Sequence, residues 1–341
     1  MKKAVILFNL GGPDKLENVE PFLFNLFNDP AILNLPTLLR YPLAKLISNR
    51  RAPTAKKIYE ELGGSSPILQ LTLDQSNALE NNLNKVEDEN EYKCFVVMRC
   101  WHPRAEDVIK DVIAYNPGEV VLLPLYPQYS AATSGSSIKE WNDICKKNNF
   151  NTKTSTICCY PTDNYFIKSH VDEISKKIIG LDNFKLIFSA HGLPEKNIKK
   201  GDPYQWQVEQ SVKKIVDSLN IPNLNWILSY QSRVGPLKWI GPSTDDVIVE
   251  NSKLKKKIVL VPIAFVSEHS ETLVELDIEY KELADKNGCI EYIRVPALGT
   301  NMDFINSLSN LVIHKEKNKF SENLYPPKTQ CPNKFIKCPC S

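Results

Sequence analysis

A doubly wound α/β fold is predicted by the spacing and character of the apolar runs. β-branched apolar segments recur at Lys3–Leu10, Lys93–Trp101, Glu119–Leu125, Thr154–Tyr160, Lys185–Ala190, Asn225–Tyr230, Lys257–Phe265 and Cys289–Val295. Helical stretches separate them. The runs are nearly continuous rather than alternating, the pattern of parallel strands covered on both faces. Their four-plus-four grouping predicts two similar halves joined near residues 161–184, although no internal sequence repeat supports the pairing. In open parallel sheets, ligands sit beyond the carboxyl ends of strands, so the residues that follow each run are where chemistry is expected.

The chain has 341 residues, about two average domains. A net charge of +2 offers no field for nucleic acid, and a 42% hydrophobic content excludes disorder. No window approaches the roughly 20 apolar residues that span a bilayer. The first run, after Met1-Lys2-Lys3, breaks at Gly11-Gly12-Pro13 and reads as a strand rather than a signal peptide. Nine cysteines, an odd number, indicate a reducing compartment rather than a disulfide framework.

Taken in order, residues 22–51 crowd Phe22, Leu23, Phe24, Leu26, Phe27, Leu38, Leu39 and Leu46 into a segment broken by Pro30, Pro36 and Pro42 and closed by Arg50-Arg51. The segment reads either as core helices with proline-set boundaries or as an apolar lip with a basic edge. The loop from Tyr126 to Ser137 has hydroxyls and small residues that suit carboxylate binding or an ordinary helix N-cap. His102, beside Pro103, is an ambiguous strand-end histidine. His191 is the best base candidate: it ends a strand, is followed by Gly192, and is an imidazole able to take a proton or bind a divalent metal. A histidine hydrogen-bonded beneath a loop is the structural alternative. In Gln231–Pro242, Trp239 is either a core plug or a plate for a flat ring.

After the strand Lys257–Phe265, a helix begins near Ser270. Glu271, Glu275 and Glu279 share one face at i, i+4, i+8, and Leu273, Leu276, Tyr280 and Leu283 form the apolar face. Like charges at this spacing cost about 0.2–0.5 kcal/mol per pair in an isolated helix. The stripe is either a solvated acidic face or, with Glu268 and His269 nearby, a path for protons or a metal in transit. At the chain end, Cys331-x6-Cys338-x-Cys340 places three thiols close together, a signature of an iron–sulfur cluster or of zinc. Cys158 and Cys159 are expected on a strand, facing opposite ways, so that one could be a fourth ligand. Cys94, Cys100, Cys145 and Cys289 read as ordinary buried thiols.

Leu10-Gly11-Gly12-Pro13, Gly63-Gly64-Ser65-Ser66-Pro67, Tyr126-Pro127-Gln128-Tyr129-Ser130, Phe188-Ser189-Ala190-His191-Gly192-Leu193-Pro194, Gly201-Asp202-Pro203-Tyr204, Gln231-Ser232-Arg233-Val234-Gly235-Pro236 and Ser270-Glu271-Thr272-Leu273-Val274-Glu275-Leu276 together resemble the ferrochelatase family, in order and across nearly the whole chain. The resemblance implies two Rossmann-like (class II chelatase) domains, residues 1–165 with the lip at about 22–51 and residues 166–313, followed by a cysteine-bearing extension over 314–341. It implies insertion of Fe2+ into protoporphyrin IX to give protohaem, in a cleft between the domains, with coproporphyrin III as the near alternative. A non-catalytic Fe-S or haem-binding sensor on the same fold is the alternative from another class.

By that resemblance His191 and Glu271 are the metal-contacting and proton-accepting pair, expected to face one another across a tetrapyrrole-sized gap. Glu275 and Glu279 continue the acidic path. Arg51, Tyr59, Ser66, Arg99, Tyr126, Ser130 and Trp239 match porphyrin-binding positions. Cys158, Cys331, Cys338 and Cys340 match the ligands of a bacterial [2Fe-2S] cluster. Two departures stand out: Cys100 replaces a tyrosine, and Ala131 replaces the internal cluster cysteine of animal members. The implied setting is the cytoplasm, with peripheral contact at the inner membrane; a homodimer is compatible with it, and nucleic acid is not a partner.

Overall fold

A computed structural model describes residues 1–233, 235, 237–317, 324–325 and 331–339. The chain forms two compact units, one comprising Met1–Cys159 and rejoined from Leu308, the other comprising Tyr160–Ser307 and Cys331–Pro339. Among the described residues no helix is long and apolar enough to cross a membrane.

The first unit runs β1 (Lys2–Asn9), α1 (Val19–Phe27), α2 (Thr37–Glu61), α3 (Ile68–Val86), β2 (Glu91–Met98), α4 (Ala105–Tyr115), β3 (Glu119–Pro124), α5 (Ser134–Lys147) and β4 (Thr154–Ile157). The strands are parallel in the order β2-β1-β3-β4, and Leu324–Tyr325 adds a short fifth strand beside β4. Ala4, Val5, Ile6, Leu7 and Phe8 are all fully buried, so both faces of β1 are covered, and this produces its unbroken apolar run. Phe8 meets Trp141 of α5 edge to face at 6.3 Å. Burying side chains of this size stabilises the fold by about 1.5–3 kcal/mol each.

The second unit runs α6 (Asn164–Ile178), β5 (Phe184–His191), α7 (Glu195–Lys199), α8 (Tyr204–Leu219), β6 (Trp226–Gln231), α9 (Thr244–Lys253), β7 (Lys257–Pro262), a π-helix (Glu271–Glu279) continued by α10 (Tyr280–Lys286), and β8 (Tyr292–Arg294). Its parallel order is β6-β5-β7-β8, the same second-first-third-fourth order as the first unit. The two halves therefore share a topology that their sequences do not advertise. Its core gathers Ile187, Val247, Ile248, Leu260, Leu276 and Tyr280. The strand order reverses between β5 and β7, so a crevice is expected at the carboxyl ends of these two strands.

Several strands are shorter than the apolar runs suggest. β4 stops at Ile157 rather than Tyr160, and β7 stops at Pro262 rather than Phe265. β3 ends at Pro124 and β7 at Pro262, residues without an N–H to extend the ladder. Conversely, Pro42 and Pro53 do not set helix boundaries: both lie inside α2, where each forfeits one backbone bond without ending the helix. Pro36 is the N-cap. Phe22 and Leu23 are buried, whereas Leu38 is 89% exposed and Leu39, Tyr41 and Leu46 are also open to solvent. The segment is thus core on α1 and an exposed apolar lip on α2.

Candidate active site

β5 and β6 pair in register up to His191 and Gln231, so both residues stand at the carboxyl edge of the second sheet. Gly192 turns the chain there. Its N–H donates to the Gln231 carbonyl at 2.9 Å, and a Cβ would lie 2.9 Å from that oxygen and 3.2 Å from the Trp239 ring. Beyond β7, the π-helix opens with Glu271. His191 Nδ1 and Glu271 Oε2 are 2.8 Å apart. The expected tetrapyrrole-sized gap between these two side chains is therefore absent: they touch, because the strands that deliver them are hydrogen-bonded neighbours.

The hydroxyl of Ser232, the residue after β6, joins the carboxylates. It lies 2.6 Å from Glu275 Oε2 and 3.2 Å from Glu271 Oε2, and its backbone N–H donates to Glu275 Oε1 at 3.0 Å. Ser232 adopts a left-handed conformation, φ 57°, a strained choice for a side-chain-bearing residue that the Glu275 contacts offset. Gln231 donates to Glu275 Oε2 at 3.3 Å while its own oxygen accepts from Ser189 at 2.7 Å, which fixes the orientation of the amide. On the other side of Glu275, the Tyr280 hydroxyl lies 3.1 Å from Oε1 and 3.3 Å from Asp245 Oδ2, and Asp245 is exposed. The group therefore runs without a break from His191 to the surface.

Charge in this group is unevenly held. Burial opposes the charged form of His191, but the adjoining Glu271 carboxylate outweighs it and raises the imidazole pKa. Burial likewise pushes Glu271 up, and the attraction and hydrogen bond of His191 overcome it, leaving Glu271 below the usual carboxylate range. For Glu275, burial and the charge of Glu271 act together and push the carboxyl up to about 7. His269 is buried with Nδ1 facing the Ser267 carbonyl, and burial lowers its pKa. With Glu271 ionised, His191 presents Nδ1–H to it, and in the neutral imidazole Nε2 is then the basic nitrogen.

Not every residue singled out from the sequence joins this group. Glu279 is exposed and outside the hydrogen-bonded group: the Tyr280 N–H bonds to the Glu275 carbonyl, an i→i+5 pattern that breaks the 3.6-residue stripe. Glu268 is diverted to Arg294, at 2.7 Å. Within the same unit Trp239 bridges Pro194 and is half-buried. His102 pairs with Asp107 at the surface.

The remaining porphyrin candidates belong to the first unit. Arg51 lies over the Phe27 ring, Tyr59 is buried with Phe22 and Leu23, and the Ser66 N–H donates to the Pro13 carbonyl. Ser130 is buried with its hydroxyl accepting from the Ala132 N–H, and burial raises the Tyr126 phenol. Arg99 is fully engaged: Nε donates to Ser136, Nη1 to Glu140, and Nη2 pairs with Asp29 at 2.8 Å. Cys100 is buried in the core with Val19 and Phe22, and burial pushes its thiol up to about 12.

Ser232, Gln231, Tyr280 and Asp245 were not assigned roles from sequence. Gln231 and Ser232 carried the strand-end signal; Tyr280 was hidden by its place on the apolar face. Cys331 and Cys338 are buried cysteines of the second unit, and Cys158 is a buried cysteine of the first. Because β4 ends at Ile157, strand alternation does not choose between Cys158 and Cys159, and both are buried. Cys340 lies outside the described residues. Among the described residues no group of three or more His, Cys, Asp or Glu is placed to hold a metal ion.

Residues 2–316 match the ferrochelatase family. The chain is 80% identical over 340 residues to the ferrochelatase of Pelagibacter ubique (strain HTCC1062), covering 100% of this chain and 99% of that one. It is 51% identical over 346 residues to the ferrochelatase of Rickettsia felis (strain ATCC VR-1525 / URRWXCal2), covering 100% and 99%. Among solved structures it resembles SirB from Bacillus subtilis with Fe3+, with a TM-score of 0.53 and 13% identity over 92% of this chain and 95% of that one. It also resembles CbiX, the terminal enzyme for biosynthesis of siroheme in denitrifying bacteria, with a TM-score of 0.51 and 8% identity over 92% and 99%. These structural likenesses establish the chelatase-type fold. The chain belongs to the ferrochelatase family, lyases of haem biosynthesis that insert ferrous iron into a porphyrin.

Proposed function

We propose that this ferrochelatase inserts Fe2+ into protoporphyrin IX, with His191 as the proton acceptor and Glu271 as its orienting partner and a metal contact. Metallation releases two pyrrole protons, so the site needs a base and a way out for protons. The single observation that carries the reading is the His191–Glu271 contact at the strand ends, which makes Nε2 the basic nitrogen of the neutral imidazole. A bent porphyrin aims nitrogen lone pairs at the incoming ion, and selective binding of that shape lowers the barrier. Ferrous iron accepts imidazole and carboxylate ligands without being held too tightly to leave.

The protons then pass from His191 toward Glu275, which its surroundings make able to hold a proton near neutrality, and onward by Tyr280 to the exposed Asp245. On the resemblance, Arg51, Tyr59, Ser66, Tyr126, Ser130 and Trp239 contact the porphyrin, and Arg99 acts through its ion pairs. The exposed Leu38, Leu39 and Tyr41, beside Arg40 and Lys45, suit peripheral contact with the inner membrane from the cytoplasm.

On the resemblance, a [2Fe-2S] cluster would be held by Cys158, Cys331, Cys338 and Cys340. The three described cysteines are buried, and Gln207 Nε2 donates to Cys331 Sγ at 3.2 Å, the kind of donor that tunes cluster sulfurs. Bound there, the group would supply a redox-active centre. Purified protein is expected to absorb in the visible range and to lose that absorption in Cys338→Ser; a colourless, zinc-containing preparation decides against the cluster.

An anaerobic assay of Fe2+ insertion into protoporphyrin IX and coproporphyrin III tests the main reading. Protoporphyrin is expected to be the better substrate. His191→Ala is expected to lose turnover by roughly 10²–10⁴-fold with its circular dichroism unchanged. Undiminished turnover in that variant removes the mechanism, and a preference for coproporphyrin III reassigns the substrate.

A further inference from the structure

The segment Cys331–Pro339 belongs to the second unit and meets it at Gly201–Gln207. The Lys337 N–H donates to the Gly201 carbonyl at 3.1 Å. Gly201 has φ +86°, and a Cβ there would lie 2.7 Å from the Ile336 side chain and 3.0 Å from the Ile336 backbone nitrogen, so only glycine lets the two backbones come this close. Phe335, 7% exposed, lies against the Trp206 ring with centroids 5.7 Å apart. Gln207, fully buried, reaches the Cys331 sulfur. The segment holds its own shape through the Phe335 N–H to Pro332 carbonyl and the Cys338 N–H to Phe335 carbonyl bonds.

The same stretch touches the active site. Tyr204 begins α8 between Gly201 and Trp206, and its buried hydroxyl donates to the His191 carbonyl oxygen at 3.1 Å. Its backbone N–H is held by Asp202 at 3.1 Å. One turn of helix therefore meets the cysteine-bearing segment and the last residue of β5. We propose that Cys331–Pro339 clamps the first turn of α8 and, through Tyr204, sets the position of His191. The clamp makes the tail a positioning element for the base rather than an appendage, and it rests on the assignment of His191 as proton acceptor. It operates through protein contacts, which anything that staples Cys331 and Cys338 would tighten.

A double-mutant cycle on the full-length protein tests this. Tyr204→Phe removes the hydroxyl alone, and Phe335→Ala removes the ring that seats the tail; Phe335→Leu, which keeps an apolar seat, serves where the alanine variant fails to fold. Each single variant is expected to lower kcat on the order of tenfold, as a slightly displaced base does, with KM for the porphyrin little changed. The double variant is expected to be no slower than the slower single, because both act through one link. The second readout is independent of turnover: the NMR titration of the His191 imidazole in porphyrin-free protein shifts in the same direction in both singles. A Phe335 variant with an unchanged His191 titration and kcat, beside a Tyr204→Phe variant in which both move, overturns the clamp. So do singles whose effects multiply. If His191→Ala keeps its turnover while the titration shifts persist, the proton-acceptor role falls and the clamp stands.

Discussion

Two polar clusters, one in each unit, show how similar side chains become either a balanced ion-pair set or an open chain of carboxylates. In the first unit, Arg99 and Arg104 face Asp29 and Glu140, with Ser136 filling the remaining valence of Arg99 and Asp29. Two guanidinium groups meet two carboxylates, so the charges are matched. Asp29 also accepts from the Ala31 N–H through its side chain and from the Ile32 and Leu33 N–H groups through its carbonyl. The cluster thus pins the start of the exposed lip. In the second unit, Glu271, Glu275 and Asp245 are strung on one imidazole, one serine and one tyrosine. Carboxylates outnumber cations there, and burial with the charge of Glu271 raises the Glu275 carboxyl to about 7, which makes it the group able to hold a proton near neutrality. Matched charge makes a fastening; a deficit of cations makes a proton store.

The sharpest way to break the comparison is Glu271→Gln. Loss of the carboxylate is expected to lower kcat about 10²–10³-fold and to bring the His191 pKa down, since the main opponent of burial is then gone and only the charge of Glu275 remains; kinetics and an NMR titration of the imidazole check both. Next, Arg99→Met leaves Asp29 buried without its cation and is expected to cost about 3 kcal/mol, read as a melting-temperature drop of several degrees. If Arg99 acts through its ion pairs, KM for the porphyrin in the folded protein stays near wild type. A raised KM with an unmoved melting temperature would instead make it a direct contact.

Glu275→Gln tests the proton store through pH. The folded carboxyl titrates near 7, above its unfolded value of 4.5, so its stabilising contribution is full below pH 4.5 and is lost as pH rises toward 7. The variant lacks that dependence, and its melting temperature relative to wild type is expected to climb between pH 5 and 8. Turnover is expected to fall about tenfold at pH 7. The smallest effects discriminate the route. Tyr280→Phe, which removes a donor to Glu275 and the bridge to Asp245, is expected to slow turnover a few-fold and to raise the Glu275 pKa further. Glu279→Gln, at an exposed position, is expected to stay within about twofold of wild type. The reverse ranking would return the path to the carboxylate stripe.

The lip and the acidic helix show where sequence reading stops. Residues 22–51 carried apolar side chains for both a core and a surface, and periodicity could not divide them, because the division depends on what α1 and α2 pack against. Pro42 suggested a break, yet the helix tolerates it. Along the acidic helix, the spacing of Glu271, Glu275 and Glu279 assumed 3.6 residues per turn, and the i→i+5 bond to Tyr280 overrode it. Tyr280 looked like a core residue because its ring is one; only its hydroxyl takes part in the polar chain.

By itself the sequence determined the strands, their parallel character and the strand-end position of His191. Those properties follow from local chemistry: strands covered on both faces must be apolar throughout, and proline and glycine punctuate their ends. Tertiary structure decided which side chains meet. His191 and Glu271 are 80 residues apart in sequence, and the topology of the sheet brings them to 2.8 Å. Burial and neighbouring charge then assign the protons, and these depend on three-dimensional neighbours rather than on residue type.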